Sequence, residues 1–311
     1  MSAPLPAAPA GLRAPVALFA FNRPETTARV FAAIRAARPS RLFLVCDGPR
    51  ANRADDAAQC AEVRRLLEQV DWPCTVECDY SETNLGCRRR ISSGIAWVFS
   101  QVEEAIFLED DTLPDASFFP YCDELLARYR DDARVLMISG FTLLDHGDAE
   151  GSSYWFSAHP RIWGWASWRA AWEGYDVHLR DWPEVFTAGD GWLTRTRAER
   201  DVWGPFFDAV KIGTIDTWDA QLTLHAWGTA RLTAMPRANL VTNIGLGGGT
   251  NTATYSLPQR SPVPMSFPLR HPAAVRASRA LDAEMVRVEH GEPGGLAHRV
   301  WRLATRWLRD R

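Results

Sequence analysis

Along the first 140 residues, short apolar runs alternate with stretches in which apolar residues recur every three to four positions. The strand-like runs are 16–21 (VALFAF), 41–46 (RLFLVC), 74–80 (CTVECDY), 105–108 (AIFL) and 135–140 (VLMISG). A short run without a helical period fits a strand buried on both faces. Between these runs, 25–37 sets Val30, Phe31 and Ile34 on one side, and 87–102 does the same with Ile91, Ile95, Val98 and Phe99. With 57–70 and 116–129, they read as helices. Pro24 suits a first helical turn, whereas Pro120 leaves the start of the fourth helix undefined.

The order β-α-β-α-β-α-β-α-β predicts an α/β fold with a mostly parallel, Rossmann-like sheet and helices on both faces. Ligands of such sheets bind beyond the carboxyl ends of the strands. There the sequence places Asn22 and Arg23 after the first strand, Asp47 after the second, and Glu109, Asp110 and Asp111 after the fourth.

The texture changes from about residue 154. Trp155, Trp163, Trp165, Trp168 and Trp172 crowd together; such tryptophans are more often core than ligand platform, with Trp163 and Trp165, flanking Gly164, the candidates to stack on a ligand ring. Residues 217–228 are helix-like, 231–236 and 239–245 strand-like, and 245–252 (GLGGGTNT) form a glycine-rich loop. That loop is not a dinucleotide fingerprint, because Thr250 stands where the last glycine belongs and no βα start precedes it. It suits a lid whose backbone N–H groups face anionic oxygens. Residues 256–294 are weakly patterned. Residues 295–311 form a basic amphipathic helix, with Leu296, Val300, Leu303 and Trp307 on one side and Arg299, Arg302, Arg306 and Arg309 on another. Such a helix lies on an anionic lipid surface or packs on protein.

A chain of 311 residues, 46% apolar and 23% charged, has ample core for one large domain. A net charge of −3 gives no reason to expect a nucleic-acid partner. Lys211 is the sole lysine and there is no P-loop, so lysine chemistry is confined to one position. The six cysteines form no CxxC pair and are expected to be reduced and mostly buried. Residues 1–14, rich in Ala and Pro, read as a disordered lead-in and not a signal peptide. No run reaches the ~20 apolar residues of a spanning helix. The expected location is therefore cytoplasmic, with the inner membrane face as an option through the terminal helix.

Three adjacent carboxylates at a strand end suit a hard divalent cation, Mg²⁺ or Mn²⁺, which takes oxygen ligands and keeps substrate phosphates in its shell. The plainer reading is an acidic turn capping the next helix through Asp111 or Thr112. A phosphatase of the haloacid dehalogenase type fits poorly, since its acidic pair follows the first strand and not the fourth.

The sequence FLEDD resembles the EDD form of the DxD motif in GT-A glycosyltransferases. FNRP after strand one, CDGPR after strand two, GCRRR before the triplet and DTWDAQL about a hundred residues beyond it occur in order. Together they resemble N-acetylglucosaminyltransferases of the type I N-glycan branching class and their bacterial relatives, over roughly residues 15–250. The resemblance implies a GT-A fold, a nucleotide-diphosphate sugar donor (UDP-sugar favoured), a glycan or lipid-linked acceptor, and Mn²⁺ or Mg²⁺. Arg23 and Arg88 would lie near the nucleotide. Asp47 would accept a hydrogen bond from the base, Glu109 would touch the donor sugar, and Asp110 would take the ribose or assist the metal. Asp111 would bind the metal. Trp218-Asp219 matches the Trp-Asp step whose aspartate is the catalytic base, with Asp216 as rival for base and cap alike. Relatives carry a histidine near the glycine-rich loop, where this chain reads Thr250-Asn251-Thr252.

On this reading, residues 15–140 are the nucleotide-sugar half, 141–255 the acceptor and catalytic-base half, and 256–294 an irregular extension. The implied activity is metal-dependent, inverting sugar transfer. The alternatives are a sugar-1-phosphate nucleotidyltransferase, which normally carries glycine and lysine after strand one, and a non-catalytic nucleotide-sugar-binding protein. Sugar, linkage and oligomeric state stay open.

Overall fold

The computed structural model describes residues 12–144, 151–184, 197–245 and 260–290. The alternating half is built as β1 Val16–Ala20, α1 Pro24–Ala37, β2 Arg41–Cys46, α2 Asp56–Leu67, β3 Thr75–Tyr80, α3 Cys87–Gln101, β4 Glu104–Glu109, α4 Phe118–Tyr129 and β6 Val135–Ser139. A short strand, β5 Thr112–Pro114, interrupts it. All residues of β1 and β6 are buried, as continuous apolar runs require. Pro24 occupies the first turn of α1, where its missing N–H is not needed. Pro120 is the third residue of α4, still within its first turn.

The remaining elements are β7 Tyr154–Ser157, β8 Trp165–Trp168, α5 Arg169–Trp172, α6 Arg197–Lys211, α7 Asp219–Gly228, β9 Leu232–Pro236, β10 Val241–Asn243 and α8 Arg279–His290. Eight strands form one sheet in the order β3-β2-β1-β4-β8-β6-β9-β7, and β10 pairs with β5 separately. β8 runs antiparallel to both β4 and β6, and β7 antiparallel to β9; the other pairings within the sheet are parallel. The fold class is thus the expected mostly parallel α/β sheet. The chain leaves β1 toward β2 and β3, then returns to lay β4 on the opposite side of β1. The crevice between the ends of β1 and β4 is therefore the topological switch point of this sheet.

Strand β8 (WASW) was hidden because its four residues are buried on both faces and show no alternation. Trp165 stacks on Phe107 of β4 with centroids 4.4 Å apart and is 3% exposed. It belongs to the core, not to a sugar platform. The weakly patterned extension also contains structure. Helix α8 drives Met285 into a cluster with Phe141, Leu143, Leu144, Trp155 and Met235, and Glu289 pairs with Arg161.

Residues 12–14 of the expected lead-in are held in place: Leu12 and Ala14 are buried, and the Ala14 N–H donates to Asp123 Oδ1 at 2.9 Å. Half of the cysteines are buried (Cys46, Cys60, Cys122), Cys74 and Cys87 are half-buried and Cys78 is exposed, all of them free thiols. No described helix is long and apolar enough to cross a membrane. Residues 1–11, the remainder of the glycine-rich segment from 246 and the segment 295–311, expected to be a basic helix, lie outside the described residues.

Candidate functional site

The backbone at the end of β1 turns toward β4. The Phe21 N–H donates to Asp110 Oδ2 at 3.1 Å, and the Arg23 guanidinium donates to Asp110 Oδ1 and, at 2.8 Å, to Asp111 Oδ2. One cation thus bridges two of the three adjacent carboxylates. Both aspartates are buried. Burial pushes the Asp110 pKa up to about 6, Arg23 pulls it down, and the Asp111 charge adds to the rise. Glu109 is driven well above the usual carboxylate range by burial first, then by the charges of Asp111 and Asp110, with Arg23 opposing and Asp219 contributing. Four carboxylates therefore share one field, and a single arginine answers two of them.

Arg23 is itself positioned. Asp56, the first residue of α2, accepts Asn22 Nδ2 at 2.8 Å and is gripped by Arg50 through Nε at 2.6 Å and Nη2 at 3.0 Å. Arg50 also lies over the Phe21 ring, 5.2 Å from its centroid. This tie of the FNRP loop to the CDGPR loop escaped the sequence reading. The one available signal was an acidic residue opening a helix six positions after an arginine.

Asp47 is 6% exposed, and its carboxylate is filled from within the protein. Oδ1 accepts the N–H groups of Gly48 and Leu85 at 2.9 Å each; Oδ2 accepts Asn84 Nδ2 at 2.9 Å and the Gly86 N–H at 3.1 Å. A carboxylate has about four lone-pair positions, and here all are occupied, so Asp47 orders the 84–86 loop and leaves no free acceptor for a base. Burial raises its pKa and these N–H groups oppose the rise. Arg88 is similarly engaged: Nη2 donates to the carbonyls of Val210 and Ile215 at 2.6 and 2.7 Å. It ties α3 to the turn between α6 and α7.

That turn settles the geometry of the two rival aspartates. Asp216 accepts the N–H groups of Cys87 and Arg88 at 2.9 and 3.3 Å, capping α3 through space. Gly86, at φ +80, makes room for it, since a Cβ there would lie 2.7 Å from Asp216 Oδ2. Asp219 is half-buried at the start of α7 and accepts a hydrogen bond from Thr217 Oγ1. Its charge is felt by Glu109, by Cys87 and by Tyr175, each raised mainly by burial. The charge of Asp219 thus reaches Glu109, whereas Asp216 caps the start of α3.

Trp218 carries Asp219 there. It is 2% exposed and stacks on Trp165 at 5.6 Å, which stacks in turn on Phe107 of β4. Tyr175 OH donates to the Trp218 carbonyl at 2.8 Å. A continuous aromatic stack thus links β4, whose end bears the triplet, to the helix start that bears Asp219. Trp218 is buried beneath the site as its support.

On the opposite side, β10 pairs with β5, and the Ile244 N–H donates to the Asp111 carbonyl at 2.8 Å. A Cβ on Gly245 would come within 2.5 Å of Asp111 Oδ2 and 2.6 Å of an Arg23 nitrogen. The chain enters the glycine-rich loop directly over the ion pair, and only glycine permits that approach.

The donor set here is all oxygen and under-neutralised, which is what a hard divalent cation requires. Among the described residues, no three Asp, Glu, His or Cys side chains form a ready metal cage. The residues thus fit an ion of the Mg²⁺ type that takes one carboxylate and completes its shell from substrate oxygens and water. They do not fit an all-protein site.

No protein-family model matches the chain, and no curated protein matches it. Among solved structures it is similar to the galactosyltransferase LgtC in complex with donor and acceptor sugar analogs, at 12% identity and a TM-score of 0.30, over 52% of this chain and 60% of that one. It is also similar to UDP-glucose pyrophosphorylase complexed with UDP-glucose, at 11% identity and a TM-score of 0.37, over 75% and 94%. The apo form of a UDP-glucose pyrophosphorylase gives 8% identity and a TM-score of 0.36, over 75% and 93%. The chain spans less than two thirds of the galactosyltransferase. At these values the likeness carries no functional argument, and function has to be read from the site.

Proposed function

We propose that the protein is an inverting glycosyltransferase of the GT-A type. It would move a sugar from a nucleotide-diphosphate donor, UDP-sugar by preference, to a hydroxyl of a glycan or lipid-linked acceptor. The observation that carries this reading is the grouping of Glu109, Asp110 and Asp111 with Arg23 beside the β1–β4 switch point, where the charge of Asp219 is also felt. Arg23 would meet an anionic diphosphate, and Asp111 would hold a Mg²⁺ or Mn²⁺ that would supply positive charge against the departing diphosphate. Asp219 takes the proton of the acceptor hydroxyl as it attacks the anomeric carbon. Its neighbours Thr217 and Trp218 fix its direction. Asp110 holds Arg23, and Asp47 and Arg88 fix the loops around the nucleotide rather than touching it. Peripheral membrane contact through residues 295–311 belongs to the same proposal, since it would bring the enzyme to a lipid-linked acceptor.

The test is a thermal-shift screen of nucleotide sugars with and without Mn²⁺. A nucleotide-sugar-dependent rise in Tm that EDTA removes is the expected result, and no response to any nucleotide sugar overturns the reading. Product analysis separates the nucleotidyltransferase alternative, which would release pyrophosphate instead of a nucleoside diphosphate.

A further inference from the structure

Arg23 is anchored at its backbone and free at its head. Its carbonyl accepts the Thr27 N–H at 3.0 Å and the Thr27 hydroxyl at 2.7 Å, which fixes the residue at the start of α1. Its side chain keeps 29% of its surface exposed, whereas Asp110 keeps 3% and Asp111 10%. The carboxylates are sunk, and the guanidinium that bridges them still reaches solvent. Neighbouring arginines are committed elsewhere: Arg50 to Asp56, Arg88 to two backbone carbonyls and Arg90 to Asp79 at 2.9 Å.

A resident cation therefore occupies the carboxylate suited to a divalent one. Arg23 Nη1 donates to Asp111 Oδ2 at 2.8 Å, and Nη2 donates to Asp110 Oδ1. A second cation on Asp111 would stand beside this guanidinium, and in a partly buried site two like charges repel far more strongly than in water. Retreat toward β10 is blocked, because the backbone at Gly245 lies so close that a Cβ there would come within 2.6 Å of Arg23 Nη1. The open way for the guanidinium is toward solvent. Leaving costs it two charge-assisted hydrogen bonds, so it needs another anion to receive it. A diphosphate matches the guanidinium fork. Its charge also balances that of an incoming divalent cation.

We propose that Arg23 is the resident counter-ion of the site, holding Asp110 and Asp111 until a diphosphate draws the guanidinium away. Asp111 then accepts a divalent cation together with the nucleotide, and only weakly before it. The identity of the anion rests on the nucleotide-sugar reading of the site. The competition at Asp111 does not, since it concerns only Arg23 and the cation.

The test measures Mn²⁺ binding to the full chain at pH 8, by the electron-spin-resonance signal of the free ion, first without and then with UDP. Arg23→Gln removes the competing charge and is expected to bind Mn²⁺ alone about tenfold tighter than wild type. Arg23→Lys keeps a charge but not the two-pronged bridge, and is expected to gain about threefold. The gain should vanish in Arg23→Gln/Asp111→Asn. UDP should tighten Mn²⁺ binding by wild type, and that tightening should shrink about tenfold in Arg23→Gln. Thermal melts identify a misfolded variant; if Arg23→Gln is one, Arg23→Lys decides. No gain in a folded variant overturns the proposal, and so does a gain that survives loss of Asp111. Equal tightening by UDP with and without Arg23 overturns the coupling to the nucleotide. Wild-type protein on which neither UDP nor any nucleotide sugar acts overturns the nucleotide-sugar reading, while the gain measured with Mn²⁺ alone still decides whether Arg23 competes at Asp111.

Discussion

The two halves of the sheet position their functional groups by different physics. At the ends of β1, β2 and β4 the groups are fixed by charge: Arg23 on Asp110 and Asp111, and Arg50 on Asp56. At β8 and α7 the fixing is done by rings: Phe107, Trp165, Trp218, and Trp172 stacked on Tyr175 at 4.0 Å. Charge pairs depend on protonation and salt. Aromatic stacks depend on volume and shape. A site assembled from both should fail differently according to which side is damaged.

The largest effect is expected at Asp111. Asp111→Ala removes the carboxylate proposed to hold the cation and half of the anchorage of Arg23. Metal-dependent binding of a UDP-sugar in the thermal-shift assay should vanish, and transfer with it, while the fold survives. A variant that works at full rate in EDTA would remove the metal from the mechanism.

Next comes the ring-supported side. Asp219→Asn keeps the Trp218 stack but cannot accept a proton, so kcat should fall by about 10²-fold or more with donor affinity unchanged. Asp216→Asn should behave in the opposite way, costing about 1 kcal/mol of stability as a weakened cap and leaving kcat within a few-fold. If turnover follows Asp216 instead, the base has been misassigned.

These two aspartates mark how far the sequence could be read. The alternating half was legible because parallel strands covered on both faces are short apolar runs and their helices keep a clean period. Asp216 and Asp219 were separable only in three dimensions, since what distinguishes them is a helix end supplied by residues 86–88. The same holds for Asp47, whose donors come from residues 48 and 84–86, and for Arg88, whose partners lie about 125 residues away. Strand β8 was illegible for another reason: buried aromatic residues satisfy strand, helix and ligand-platform patterns equally well. Only the register against Phe107 places Trp165 in the core.

Trp218→Ala tests the ring-supported half directly. Emptying a fully buried tryptophan site should cost about 3–5 kcal/mol in urea unfolding. The start of α7 loses its support, so kcat should fall alongside stability, and Trp218→Phe should recover part of both. A destabilised Trp218→Ala that still turns over normally would mean that Asp219 is held by Thr217 and α7 alone. The deficit should be alike at pH 7 and pH 3, because no titrating group takes part in the stack.

The smallest effect separates the charge-supported half from the ring-supported one by pH. The Asp56 pKa is lowered to about 2, chiefly by the hydrogen bond from Arg50, with burial opposing. A lowered carboxyl means that the unfolded chain binds the proton more readily than the folded one between the two pKa values. Stability from this group is therefore complete above about pH 4 and is lost as pH falls toward 2. Asp56→Asn removes that contribution and slackens Asn22, the neighbour of Arg23. In urea unfolding the gap between wild type and Asp56→Asn should be widest at pH 5–7 and close progressively toward pH 2, in contrast to the pH-independent gap expected for Trp218→Ala. A gap of constant size across that range would mean that Asp56 acts by packing at the start of α2, and that the FNRP loop is not held by charge.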